Sequence, residues 1–269
     1  MLPVKEEYTN MPVTGIMSEI AGVASLLWQK GWAERNGGNL SVNLTACVGE
    51  WVPGSPLLLS EFVLGRSFAL LAGDVLYLTG TGTRMRDVAQ RPFETGCFIR
   101  VGIDGRHCEA WAVKGVNPSS ELPSHFAVQQ FLKSEGKGYT AVLHTHPTEL
   151  IALTHNRLFL ESSYLTRTLW SMIPEARIFI QRGVGVIPYT MPGSSILAEL
   201  TIKALAAHDV VLWEKHGALS VGKDIEDCFD NIDTLNKSAM IYMSAHMAGF
   251  QPEGLSDAQL NELGETYDH

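Results

Sequence analysis

Thiols, long apolar runs and positive charge are all in short supply in this chain. Its four cysteines, Cys47, Cys97, Cys108 and Cys228, include no CxxC pair. In a chain of this length they read as buried thiols and not as a disulfide framework. No stretch approaches the roughly 20 apolar residues of a membrane span. The formal net charge is −9, which argues against nucleic acid or an anionic membrane as the main partner and does not forbid a local basic pocket for a small anion. The opening residues, MLPVKEEYTN, lack the apolar segment of a secretory leader, so a cytoplasmic location is expected. Two glycine-rich turns are present. Neither is followed by Gly-Lys-Ser/Thr and neither matches G-x-G-x-x-G, so NTPase and nicotinamide readings are set aside. There is no internal repeat, low-complexity tract or linker. The 269 residues read as one domain with an N-terminal extension over 1–12.

What is present centres on His144-Thr145-His146, which follows Ala141-Val142-Leu143 and precedes Pro147. The apolar run predicts a buried strand. Residues two apart on a strand share a face, so both imidazoles project together from its end. Pro147 ends the ladder and suits a helix start, here from Pro147 to about Thr154. Two such imidazoles are two-thirds of a His₃ zinc site with an open coordination position. The plain alternative is a pair of hydrogen-bonded surface histidines.

Elsewhere, Ile16, Ile20, Val23, Ala24 and Leu27 predict a helix over 13–33, ended near Gly31. Glu34 to Leu40 contains Asn36-Gly37-Gly38-Asn39, a tight turn before a strand at 40–44. Consecutive backbone N–H groups in such turns can cradle an anion. A strand at Val75–Leu78 runs into a second small-residue turn, Thr79-Gly80-Thr81-Gly82-Thr83. Residues 48–72 read as a variable connection. A hairpin is expected across Asp104-Gly105. Ser119 and Ser120 are predicted to cap a helix whose first turn holds Glu121 and Pro123. Glu121 there is either a carboxylate that complements the helix dipole or a functional group beside an anion site. Later segments predict a strand at Arg177–Ile180, a helix at 195–208, strands at 210–213 and 218–221 with His216 in the turn between them, and a last helix from Ile225 to Ala248. Its stripe of Ile225, Cys228, Phe229, Ile232, Leu235, Ala239, Met240, Met243 and Met247 is expected to be core. His107, His125, His155, His208, His246 and His269 read as packing or surface residues. Strands alternating with helices and hairpins predict an α/β fold, a three-layer α/β/α sandwich with a largely antiparallel central sheet.

Asn-Gly-Gly-Asn, Thr-Gly-Thr-Gly, Ser-Ser-Glu, His-Thr-His-Pro and Lys-His-Gly follow one another along the chain. In this order they resemble the class II aldolases that cleave sugar 1-phosphates, with their aldolase/epimerase/adducin-head relatives. The resemblance runs from Trp28-Gln29-Lys30-Gly31-Trp32 to the last helix. It implies a soluble, cytoplasmic, zinc-dependent lyase with one zinc ion per subunit, held by His144, His146 and His216. It implies Glu121 as the catalytic acid/base and a phosphate site at Asn36, Asn39, Thr81, Gly82, Ser119 and Ser120. Glu175 matches a second carboxylate that reaches a neighbouring subunit's site in a fourfold-symmetric homotetramer. The substrate implied is a small sugar phosphate. Thr81 stands where the subgroup often has serine, and residues 45–70 and 155–165 match poorly. A Schiff-base mechanism is disfavoured, because no lysine lies in an apolar setting that would lower its pKa. Epimerase or dehydratase activity at the same site, and a non-catalytic adducin-head-like module, are the alternatives.

Overall fold

Val13, Met17, Ile20, Ala24 and Leu27 are all buried, at alternating spacings of four and three. They form the inner face of α1 (Met11–Gln29) in the computed structural model. The structure describes residues 11–48 and 58–267. Residues 1–10 of the expected extension, residues 49–57 of the expected connection and His269 lie outside these. The chain divides into two compact units. The first runs to Leu143 and takes back Gly222–Glu226, and the second runs from His144 to Val221 and resumes at Asp227.

In the first unit α1 is followed by β1 (Asn39–Asn43), α2 (Thr45–Val48), β2 (Leu58–Val63), β3 (Val75–Thr79) and α3 (Met85–Val88). Then come β4 (Gly96–Val101), β5 (His107–Trp111), α4 (Leu122–Glu135) and β6 (Ala141–Thr145), whose last two residues open the second unit. The strands lie in the order β2-β5-β4-β3-β1-β6. The pairs β1–β3, β3–β4, β4–β5 and β2–β5 are all antiparallel. Every residue of β3 is buried, as expected of a strand covered on both faces. The expected hairpin forms across Asp104-Gly105. The expected connection at 48–72 instead contains β2, an edge strand paired with β5.

Helix α4 is tied to this sheet by polar groups spaced four residues apart. Lys133 pairs with Asp74 at 2.7 Å, and Asp74 also accepts from Asn43 of β1 at 3.0 Å. One turn earlier, Gln129 donates to the Ser41 hydroxyl of β1 at 3.1 Å. One turn earlier again, His125 meets the same hydroxyl at 2.9 Å. This face of α4 is therefore fixed along β1 by directional bonds, which set the helix's position more tightly than apolar contact does.

The second unit contains α5 (Thr148–Leu153), α6 (Ser162–Met172), α7 (Pro174–Phe179), β7 (Val184–Ile187), α8 (Ser195–Leu205), β8 (Val210–Trp213), β9 (Gly217–Gly222) but for its last residue, α9 (Ile225–Met247) but for its first two, and α10 (Asp257–Tyr267). Strand β8 pairs antiparallel with β9 and parallel with β7. Ser194 caps α8, accepting from the Leu197 N–H at 3.2 Å.

Two further expectations are corrected here. The stretch expected as a strand at 177–180 is mostly α7: Pro174 occupies its first position, Ala176 and Ile180 are buried four residues apart, and Phe179 is exposed. The stripe on α9 is buried from Ile225 to Ala239, but Met240 is 43% and Met247 79% exposed. Helix α10, which no sequence signal marked, closes the described chain. Cys97, Cys108 and Cys228 are buried and Cys47 half-buried, all as free thiols. Among the described residues no helix is long and apolar enough to cross a membrane.

Candidate active site

In the second unit, His144 sits near the end of β6 and His146 just beyond it. His216 lies in the turn between β8 and β9. Their three rings pack edge to face or tilted, with centroids 4.9 to 5.4 Å apart. One donor nitrogen from each lies within 4.8 Å of the others. The Nε2 atoms of His144 and His146 are 3.3 Å apart. Tetrahedral zinc with Zn–N near 2.0–2.1 Å places ligand nitrogens about 3.3–3.4 Å from each other. Neutral imidazoles are the donor type such a site uses, so the donor set fits a metal ion.

Neighbouring groups hold the ligands in orientation. His144 Nδ1 is 3.0 Å from the Ala218 carbonyl oxygen, which can only accept, so Nδ1 carries the proton and Nε2 is left with its lone pair for a metal. Trp213 packs against His144 with ring centroids 4.4 Å apart and the planes tilted by 37°, and its own N–H donates to the Thr201 hydroxyl at 3.0 Å. Lys215 takes a left-handed φ of 59°, and its N–H is held by the Thr154 hydroxyl at 2.8 Å. A non-glycine residue in that region costs about 1–3 kcal/mol. Here the bend directs the next residue, His216, back toward the other two. Gly217 completes the turn.

The first unit carries the remaining candidates except Glu175, which belongs to the second. Leu40 N–H donates to the Thr79 hydroxyl at 3.1 Å, Thr81 N–H to the Asn117 carbonyl at 2.8 Å and Ser119 N–H to the Thr79 carbonyl at 3.1 Å. These bonds draw the start of β1, the end of β3 and the approach to α4 into one cluster. Asn39 and Ser119 are buried within it, while Thr81, Gly82 and Ser120 are exposed. Asn36 is exposed in its turn, where Gly38 has φ of 76°. Glu121 takes the N-cap position of α4, one place earlier than expected. Its N–H donates to the Ser119 hydroxyl at 3.2 Å. Its carboxylate makes no capping bond and instead accepts from the Asn39 amide at 2.9 Å. Glu175 is exposed in the first turn of α7.

One residue expected only to pack belongs to this cluster. His125 is buried, with Nε2 2.5 Å from Asn39 Oδ1 and Nδ1 2.9 Å from Ser41 Oγ. Burial pushes its pKa down to about 3. The available signal was the spacing Glu121, His125, Gln129, Lys133, a polar stripe four residues apart on a helix that is otherwise largely buried.

Comparison with known proteins gives the family. Residues 18–243 match the class II aldolase and adducin N-terminal domain, and the chain belongs to that family. It is 46% identical over 251 residues to the rhamnulose-1-phosphate aldolase of Bacteroides thetaiotaomicron, covering 93% of each chain. To the Listeria welshimeri enzyme of the same name it is 33% identical, covering 93% of this chain and 91% of that one. The crystal structure of a sugar-phosphate aldolase from Thermotoga maritima superposes with a TM-score of 0.75 at 31% identity, over 90% of this chain and 99% of that one.

Proposed function

We infer that this chain is a metal-dependent lyase that cleaves L-rhamnulose 1-phosphate to dihydroxyacetone phosphate and L-lactaldehyde, a step in L-rhamnose breakdown. The observation that carries this reading is the histidine triad, with its nitrogens at ligand spacing in a chain 46% identical to a rhamnulose-1-phosphate aldolase. His144, His146 and His216 would hold zinc. Bound there, zinc would supply Lewis-acid stabilisation of the negative charge that develops on the ketose oxygens.

The chain's own groups do the rest. Asn36, Asn39, Thr81, Gly82, Ser119 and Ser120 bind the phosphate, remote from the reacting bond, and so orient the ketose. When the C3–C4 bond breaks, its electron pair stays on C3, and C4 becomes the aldehyde carbon as its hydroxyl loses a proton. Glu121 returns a proton to C3, and in the synthesis direction removes it. Glu175 assists the proton transfer at the aldehyde oxygen. Its exposure on α7 suits a residue that acts in a neighbouring subunit of a homotetramer. A phosphorylated substrate is charged and crosses a bilayer poorly, which favours a cytoplasmic enzyme.

The test is metal analysis of the purified protein together with product analysis on a panel of phosphoketoses. L-lactaldehyde release from L-rhamnulose 1-phosphate is expected. Preferential turnover of L-fuculose 1-phosphate, epimerised pentulose phosphate or a dehydrated product would each assign a different family activity. No turnover by zinc-loaded protein would leave the adducin-like module.

A further inference from the structure

We propose that His125 is a positioning residue for this reaction, acting through Asn39 to hold the carboxylate of Glu121 in place. The proposal rests on the reading of Glu121 as the proton-transfer group.

The bonds in this chain of groups have only one consistent direction. Gln129 Nε2 lies 3.0 Å from the Thr140 carbonyl, which can only accept, so the amide orientation of Gln129 is fixed. The same nitrogen donates to Ser41 Oγ at 3.1 Å. At the other end Asn39 turns Nδ2 to the Glu121 carboxylate, so Oδ1 faces His125 Nε2, and His125 Nδ1, 2.9 Å from Ser41 Oγ, is left to accept the Ser41 proton. A neutral imidazole carries one proton, so it sits on Nε2 and is donated to Asn39 Oδ1 at 2.5 Å. Asn39 Nδ2 then donates to Glu121 Oε2 at 2.9 Å. Flipping the Asn39 amide would set its oxygen against a carboxylate oxygen and its N–H against an N–H. The sequence Gln129, Ser41, His125, Asn39, Glu121 thus has no rotational freedom left.

Burial keeps His125 neutral, with a pKa pushed down to about 3, so the direction holds across the working pH range. Each donor in such a series polarises the next, which strengthens the last bond, the one made to Glu121. Asparagine carries no exchangeable charge, so the series orients the carboxylate and does not conduct protons. It also commits the oxygen and one amide hydrogen of Asn39, leaving the second hydrogen for phosphate.

The test compares His125→Asn with His125→Gln in the zinc-loaded, full-length protein. Gln keeps a donor near the place of Nε2. Asn keeps an acceptor near Nδ1 and loses that donor. Misorienting a reacting group through its supporting partner costs about 10–100-fold. The Asn variant should lose about that much in kcat and in hydrogen exchange at C3 of dihydroxyacetone phosphate, with a smaller rise in KM through the phosphate contact of Asn39. The Gln variant should recover most of both. Equal rates in the two variants, or a change in KM alone, would overturn the role of His125. No C3 exchange in the wild type would overturn the reading of Glu121 instead. An arm independent of variant folding is ¹⁵N NMR of labelled histidine in the wild type. A proton on Nε2 and none on Nδ1 is expected for His125, and the reverse tautomer overturns the proposal.

Discussion

A Cβ placed on Gly217 would sit 2.6 Å from the carbonyl oxygen of Thr145, and 2.9 Å from a ring carbon of each of His144 and His146. The turn that brings His216 to its partners therefore closes only with glycine. Gly217→Ala should separate β9 from the end of β6 by some tenths of an ångström. Overpacking of this kind costs about 1–3 kcal/mol. The larger effect should be on the metal, with zinc affinity at least about tenfold weaker, as for loss of a supporting contact. Zinc titration of chelated protein and thermal unfolding read the two effects. Wild-type zinc affinity in this variant would show that the turn tolerates a side chain.

The parts of the fold legible in the sequence were those with one dominant signal. The strands β3, β6 and β8 are short apolar runs bounded by turn residues, and their ends were placed to within about a residue. Helix α7 departs from the expected strand because four residues, Arg177-Ile178-Phe179-Ile180, look alike for a buried strand and a short helix, and Pro174 decides between them. The edge strand β2 was lost because it flanks the proline-rich stretch at 53–56 and is specified by pairing with β5 rather than by its own pattern. In the site, strand periodicity alone puts His144 and His146 on one face, and their reading as metal ligands comes from the family resemblance. His125 was not legible. A single histidine on a helix looks the same whether it packs or donates, and only the packing of α4 on β1 brings Asn39 and Glu121 to it.

Metal should matter to the site and not to the fold. The second unit has its own apolar core, including Leu150, Leu165, Leu169, Val210 and Leu235, unlike a small zinc module that folds only on its metal. Chelation should abolish activity while far-UV circular dichroism stays near native, and His216→Ala should match it. Trp213 packs against His144 and His216 with ring centroids 4.4 and 5.2 Å apart. Re-adding zinc should therefore change tryptophan emission, and Trp213→Phe should remove that response. Global unfolding on chelation would sink this expectation.

His125 also predicts an acid limb in stability. Its pKa is depressed to about 3 in the fold and lies near about 6.5 in the unfolded chain. Below pH 6.5 the unfolded chain binds the extra proton and the native state does not. The stabilisation is thus complete above about pH 6.5 and is lost as pH falls toward 3. The groups bonded to His125, Asn39 and Ser41, are neutral, and the nearest charge in the series is Glu121 beyond Asn39. His125→Gln should flatten the decline in unfolding free energy between pH 7 and 4 by up to about several kcal/mol. Parallel profiles for wild type and variant would remove His125 from the acid limb.

Glu175 is expected to act in trans. It is exposed at the start of α7, after the apolar run Met172-Ile173-Pro174. Mixing an inactive Glu121 variant with an inactive Glu175 variant under subunit exchange should restore part of the activity. Demonstrated exchange without recovery would place Glu175 in its own subunit's site or outside the chemistry.

Glu121 separates the plain reading from the catalytic one most sharply. As a carboxylate at the start of α4, its neutralisation in Glu121→Gln would cost about 0.3–1 kcal/mol of stability and no chemistry. As the group that moves the C3 proton, the same change would cost on the order of 10²–10⁴ in rate. The structure makes Gln a clean probe. The carboxylate gives no capping bond that could be lost, and a Gln oxygen can still accept from Asn39 Nδ2 in place of Oε2. Zinc and dihydroxyacetone phosphate should therefore still bind. Deuterium exchange at C3 of dihydroxyacetone phosphate, with no aldehyde present, isolates the proton transfer. Wild type should wash label into solvent, and the Gln variant should do so more slowly by that same factor while retaining its zinc. Exchange at the wild-type rate would assign the proton to another base and return Glu121 to the helix-end role that its position on α4 alone would suggest.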